Sequence, residues 1–431
     1  MGNCCTMMQV RSNEVGGQIA LLLAVCLAFQ WSIVCRGFCF MALHRSDEIR
    51  VDVHDLSEAV MAAFSVAVSI VYVLGRTAGI HTLMIVIIHV PLYNANKFLL
   101  EEFLLVSDPG NSLSLHLFGA IFGFFLHVIA LRGQQEGGDY EHATSDFTGG
   151  PSPSAHLGPM VVFIAFPILN SIVSESDAEM TRAITNTLLS EVSALVTVSA
   201  IMISVAHVRE RSFDAHLLQG AFISGGVGVG AVGTLMVQPY GAMLVGMVTG
   251  IVTSFSYLYL ETLFQKQFNI PSSGGILSFH GISATVGGLT SVIMASISES
   301  ESGLVIYYNS LYPLYPARVP TDEHCNDKDC IYTLGTIISN YPFLEDKAMS
   351  RSALDQALHQ GYGLVATIGV AVVGGLITGT LIKVSSERCG NSFPVRAWHD
   401  ESFLLNRRNE REGSRRRSIS KSNSAGEETP F

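Results

Sequence analysis

The sequence predicts an all-α polytopic membrane protein, a bundle of about ten spans with a related histidine segment in each half. Three observations predict it. Only 14% of the 431 residues are charged and 48% are hydrophobic, whereas soluble domains carry about 25% charged residues. Apolar runs recur along the chain, many near the roughly 17–25 residues that a span requires. Two glycine-rich apolar segments, far apart in the chain, each enclose one histidine.

The first segment reads Asp108-Pro-Gly-Asn-Ser-Leu-Ser-Leu-His116-Leu-Phe-Gly-Ala-Ile-Phe-Gly123. The second reads Ser272-Ser-Gly-Gly-Ile-Leu-Ser-Phe-His280-Gly-Ile-Ser-Ala-Thr-Val-Gly-Gly288. Each histidine lies eight residues after a polar residue at the segment's start, Asp108 or Ser272. On a helix eight residues rise about 12 Å. Each histidine would then sit near mid-membrane if the polar residue sits near the surface.

In chain order, Met1-Gly-Asn-Cys-Cys-Thr6 fits an N-myristoylation pattern at Gly2, with Cys4 and Cys5 open to palmitoylation. Residues 1–17 read as a cytosolic N-terminus. Ten candidate spans follow at about 18–36, 56–75, 80–98, 112–131, 157–174, 183–207, 214–236, 240–261, 279–296 and 361–383, so the membrane domain covers 18–383. Gly225, Gly226, Gly228 and Gly230 in the seventh are small residues that let helix backbones approach closely. They lack the strand context of a phosphate-binding loop.

Lysines and arginines in the short loops are nearly balanced between the two sides, and the basic tail 384–431 decides for both termini inside. The formal net charge of −11 says little about nucleic acid, because acidic residues crowd the loops. The long loop 297–360 falls outside the cell. Its Cys325 and Cys330 are either a small disulfide or two free thiols. No cysteine spacing matches a zinc site. The inner loop 133–156 is rich in Gly, Ser and Pro and reads as mobile, and the tail is polar, as disordered segments are. Arg415-Arg-Arg-Ser418 reads as a kinase site, a contact with anionic lipid or a solvated basic stretch.

Ionisable groups inside spans are costly and mark functional sites by default. His116 and His280 meet that test as a shared site. Burial favours the neutral imidazole, which carries one donor and one acceptor nitrogen. Two facing imidazoles can share one proton and still offer polar atoms to a passing molecule. Asp108 opens its helix as a cap for backbone N–H groups or as an acid that favours a cation. Glu191, in the sixth span, is either interfacial or bundle-facing. Glu58 reads as a first-turn acid, and His81, His89 and His127 as structural or interfacial.

These residues resemble the Rh glycoproteins, the Rh branch of the ammonium transporter (Amt/Rh) family, over about residues 18–383. The resemblance is carried by Asp108…Ser-Leu-His116-Leu-Phe-Gly, Phe166-Pro-Ile-Leu-Asn170-Ser, Ser224-Gly-Gly-Val-Gly-Val-Gly230 with Gln238-Pro-Tyr-Gly-Ala242, His280-Gly-Ile…Gly287-Gly, and Gln360-Gly-Tyr-Gly363…Gly374-Gly-Leu-Ile-Thr-Gly379. It implies an inverted-repeat bundle and a homotrimer or mixed Rh trimer, each subunit with its own pore. It implies that ammonium (NH4+) loses its proton and crosses as NH3 between paired histidines, which map to His116 and His280. Carbon dioxide (CO2) is a further permeant at family level. Asp108 and Asn170 join the pore and substrate residues. No cofactor, metal, nucleic acid or enzymatic step is implied.

The chain departs from the family pattern in four places. Two helices usually precede the one that begins near residue 18, so the sequence is either incomplete or divergent. The two gating phenylalanines appear as Met61 and Leu169. The second-repeat acid is Ser272. A vestibule glutamate falls on Lys97, a charge that would repel ammonium unless Glu101, one turn on, offsets it. Lys97→Glu is then expected to raise apparent ammonium affinity. The rival expectation is a non-conducting Rh-like scaffold or partner subunit.

Overall fold

The computed structural model describes residues 14–44, 48–49, 51–74, 77, 79–131, 153–174, 177–209, 215–235, 237–268, 274–297 and 353–389. Gly2, Cys4, Cys5, Ser272, Cys325, Cys330 and the tail beyond residue 389 lie outside the described residues. Among the described residues the chain forms ten helical rods and no strand. They are α1 Glu14–His44, α2 Val53–Val71, α3 Gly79–Phe98, which runs on into a π-helical turn at Leu99–Leu104, and α4, a π-helical turn Ser112–Leu117 followed by Phe118–Ala130. Next come α5 Pro153–Ser171, α6 Asp177–Arg209 and α7 Ala215–Gly230. Helix α8 runs Gln238–Phe255, through a π-helical turn Ser256–Leu260, to Glu261–Phe268. Helix α9 is a π-helical turn Leu277–Ile282 followed by Ser283–Ile297, and α10 is Ala353–Cys389.

The rods coincide with the ten expected spans. Eight of them contain a stretch long and apolar enough to cross a membrane. The apolar part of α5, Met160–Ser171, and α7 are shorter. Helix α1 runs on to His44 against an expected 36, and the other equally large boundary difference is at α10. It begins at Ala353, inside what the sequence assigns to the outer loop, because Gln356 and Gln360 are buried against other rods rather than solvated.

Helix α2 starts on a reciprocal cap. Asp52 Oδ1 accepts the Asp55 N–H and Asp55 Oδ2 accepts the Asp52 N–H, which satisfies two otherwise orphaned donors. Asp52, His54 and Asp55 also bring three possible metal ligands within 4.8 Å. Both carboxylates are already engaged there, Asp55 by Arg36 as well.

Rod α6 packs along α7 and α8, and α10 along α4. Three apolar clusters fill the bundle, and two of them meet at α4. One contains Met61, Ile70, Leu115 and Phe118, the other Leu113, Leu117, Phe166 and Phe279. Helix α4 feeds both, so its first turn lies between them.

Close approach explains the glycines of α7 and α8. A Cβ at Gly246 would lie 2.2 Å from the Ser190 carbonyl oxygen, and one at Gly225 would lie 2.7 Å from Glu191 Cα. Both glycines therefore clasp α6 at the same point, as the small-residue pattern suggests. Glu191 sits at that clasp and faces the bundle. It is 0% exposed, and neither carboxylate oxygen has a hydrogen-bond partner among the described residues. An unpartnered buried polar group costs about 1–3 kcal/mol. Glu191→Leu, of similar volume, is therefore expected to raise the thermal unfolding temperature of the purified protein. A lower temperature would mean that the carboxyl has a stabilising partner.

Candidate functional site

The two histidine segments meet through their π-helical turns. A π turn admits one extra residue per turn, and such turns recur at functional sites. His116 lies in the turn that opens α4 and His280 in the turn that opens α9. His116 Nδ1 is 3.0 Å from His280 Nδ1. The ring planes are 17° apart with centroids at 5.1 Å. At that distance one nitrogen donates and the other accepts, so the pair shares a proton. Both rings are buried, and Phe166 lies against His116 with centroids 5.4 Å apart. His116 Nε2 has no hydrogen-bond partner among the described residues.

The spacing from Asp108 to His116 is not a helical rise, contrary to the sequence expectation. Residues 105–111 are non-helical, with Leu105 and Asn111 both at a φ of 54°. Pro109 disfavours helix at Asp108, and a left-handed Asn111 stops the helix from starting before Ser112. The segment is pinned by Gly110, whose N–H donates to Gly230 O at 2.9 Å. A Cβ at Gly110 would be 2.6 Å from Gly230 Cα. Asp108 still caps α4. Its Oδ2 accepts the N–H of Leu113 at 3.0 Å, the N–H of Ser114 at 2.9 Å and the Ser114 hydroxyl at 2.9 Å. Its Oδ1 is buried without a hydrogen-bond partner among the described residues.

Helix α10 holds the same segment from the other side. Gln360 accepts the Ser107 N–H and donates to Ser107 O, each at 2.9 Å, and Gln356 donates to Leu105 O at 2.9 Å. In the sequence Gln360 stands out only as part of a motif, and Gln356 does not stand out at all.

Asn170 is buried, and its amide nitrogen donates to Gly226 O at 3.0 Å and Thr187 Oγ1 at 3.1 Å. It ties α5, α6 and α7 together. Met61 is fully buried and Leu169 half-buried, and both belong to the apolar cluster that contains Leu115. His89 meets Ser65 and Ser69, and His127 meets Tyr72 O, which fits the structural reading of both.

Lys97 does not present a free charge to an approaching cation, and that expectation is corrected. The residue is 5% exposed. Its ammonium lies 3.4 Å from Glu58 Oε2 and 3.2 Å from Glu101 Oε1, and it donates to Asn111 Oδ1. Glu58 is not a first-turn acid either: the first-turn acid of α2 is Asp55, and Glu58 lies further along the helix, 2% exposed. Arg36 extends the group to Asp55 at 3.2 Å and Glu101 at 3.5 Å. A buried charge is tolerable only when paired, and here each cation has two carboxylates. Asn111 passes the contact on, since Ser114 Oγ donates to it at 2.8 Å. The Lys97 group therefore braces the start of the His116 helix.

A polytopic helical bundle with paired buried histidines in two facing π-helical turns belongs to the transporter and channel class. The chain is a member of the Ammonium Transporter Family, whose model matches residues 5–391. It is 28% identical over 362 residues to ammonium transporter Rh type C of Oryctolagus cuniculus, covering 84% of this chain and 68% of that one. It is 27% identical over 365 residues to ammonium transporter Rh type B of Oryzias latipes, covering 84% and 70%. These relatives bear out the Rh branch. Among solved structures it resembles Nitrosomonas europaea Rh50, of the Rhesus protein family of channels. The TM-score is 0.65 at 18% identity, over 96% of this chain and 94% of that one. A sensor Amt protein gives 0.57 at 16% identity, over 90% and 89%. At these identities the structural likeness carries the fold.

Proposed function

We propose that this protein conducts ammonia across a membrane, with ammonium losing its proton at the mouth and NH3 passing His116 and His280. The observation that carries the reading is the 3.0 Å Nδ1 to Nδ1 contact between two buried histidines, in a member of the Ammonium Transporter Family. A bare cation in such a dry passage is penalised heavily. A neutral polar molecule that meets a donor and an acceptor is not. Met61 and Leu169 form the apolar constriction, and selectivity follows from its width and lining. The free Oδ1 of Asp108 favours the cation ahead of deprotonation. The working unit is a trimer with one path per subunit, and both termini face the cytosol at the plasma membrane. CO2, small and neutral, is a second permeant of the same path.

The test is stopped-flow internal pH in proteoliposomes under an ammonium gradient. The native chain is compared with its His116→Ala/His280→Ala variant and with empty liposomes. Faster alkalinisation in the native chain than in both others supports conduction by the histidine path. Equal rates in all three, with the assembly intact, support a non-conducting scaffold instead.

A further inference from the structure

We propose that Glu261 is a positioning carboxylate for His280, the counterpart in the second half of what Asp108 is in the first. The proposal rests on the histidine-path reading above. Glu261 follows the π-helical turn of α8 and is 7% exposed. Its Oε1 accepts the Ser278 hydroxyl at 3.2 Å, and its Oε2 accepts the Gly275 N–H at 3.3 Å. Ser278 stands two residues before His280. In the first half the serine two residues before His116 is Ser114, and its N–H and hydroxyl are both held by Asp108. Each histidine turn is thus gripped by one carboxylate, through the serine at the same position and a nearby backbone N–H, that of Leu113 inside the first turn and that of Gly275 just before the second.

The chain reaches this arrangement by two routes. Asp108 arrives within its own segment, six residues before Ser114. Glu261 arrives from the preceding rod, 17 residues before Ser278. The α8 seam reinforces the grip. Ser256 Oγ meets Ser278 Oγ at 2.8 Å, Ser283 Oγ donates to Ser278 O at 3.1 Å, and Thr253 Oγ1 meets Ser283 Oγ at 2.9 Å. Asp108 holds the π-helical turn that carries His116, and Glu261 holds the one that carries His280. A negative charge also complements the partial positive charge of each helix start. Glu261 fixes the register of the Leu277–Ile282 turn, and that register aims His280 at His116.

The test is a flux cycle in proteoliposomes by stopped-flow internal pH, with assembly checked by size-exclusion chromatography. Glu261→Ala is expected to lower ammonia flux by about tenfold, the worth of one charge-assisted hydrogen bond. Glu261→Gln keeps an acceptor for the Gly275 N–H and an amide for Ser278, and is expected to retain about a third of the flux, since a neutral bond is worth about half a charged one and half of a tenfold barrier is a factor of about three. In a His280→Ala background Glu261→Ala should cost no further flux, because what it positions is gone; coupled sites are non-additive. A purely structural role would lower flux by the same factor in both backgrounds, and that result overturns the proposal. If Glu261→Ala does not assemble, Ser278→Ala takes its place in the same cycle. A loss of flux confined to the native background then supports the proposal, and an equal loss in both backgrounds overturns it. Lowered flux in His280→Ala beside native flux in Glu261→Ala overturns the positioning role alone. Native flux in His280→Ala overturns the histidine path, and this role with it.

Discussion

Replacing His280 with leucine is expected to lower ammonia flux about tenfold or more while leaving the assembly intact. Leucine is close to histidine in volume, so the apolar surroundings need little repacking. What is lost is specific. His116 Nδ1 gives up its hydrogen bond across the pair, 3.0 Å away, and His116 Nε2 has no hydrogen-bond partner to compensate among the described residues. Leaving that ring unsatisfied costs about 1–3 kcal/mol, a fraction of the stability of a protein with ten packed rods. Passing ammonia loses one hydrogen-bond partner in a dry passage. One such bond is worth about 1 kcal/mol or more, and about 1.4 kcal/mol in the barrier is a factor of ten in rate. The measurement is initial alkalinisation rate in proteoliposomes, with unfolding temperature recorded on the same preparation. Native flux in a stably assembled Leu variant would remove His280 from the path.

Much of the fold was legible because its signal is local. Apolar run length alone located ten rods, since a span must satisfy its own backbone and bury or solvate in lipid about 20 residues at a time. The histidine pair was legible for a related reason. Two lone histidines in similar glycine-rich settings stand out from an apolar background. The depth expected of His116 from helical rise fails in detail, because Pro109 and a left-handed Asn111 convert the approach to it from helix to loop. The π-helical turns left no compositional trace. The bracing contacts were hidden by separation along the chain. Gln360 holds Ser107 across 253 residues, and Glu261 holds Ser278 across 17. The family pattern pointed to Ser272 as the place for a second acid. The carboxylate that grips the second turn comes instead from the previous rod, which no spacing within the segment could indicate.

Lys97 shows how the same limit reverses an expected effect. Taken as a surface charge, Lys97→Glu should attract ammonium. In the folded protein the substitution is expected to cost about 3–5 kcal/mol, the penalty of removing one partner from a buried ion pair, and more for the added repulsion. It would set a third carboxylate between Glu58 and Glu101, now 3.4 and 3.2 Å from the ammonium. It would also remove the donor to Asn111, and with it the brace that reaches Ser114 and the Asp108 cap. Flux should therefore fall together with unfolding temperature. Lys97→Met should be milder, because Glu101 keeps Arg36 and only Glu58 is stranded. Lys97→Met/Glu58→Leu should recover most of the loss, since a buried pair replaced by apolar side chains of similar volume is often neutral. Unfolding temperatures of the four proteins, ranked native, double variant, Lys97→Met, Lys97→Glu, are the check. A Lys97→Glu protein as stable as the native one, with flux saturating at lower ammonium, would return Lys97 to the surface role that its sequence position suggests.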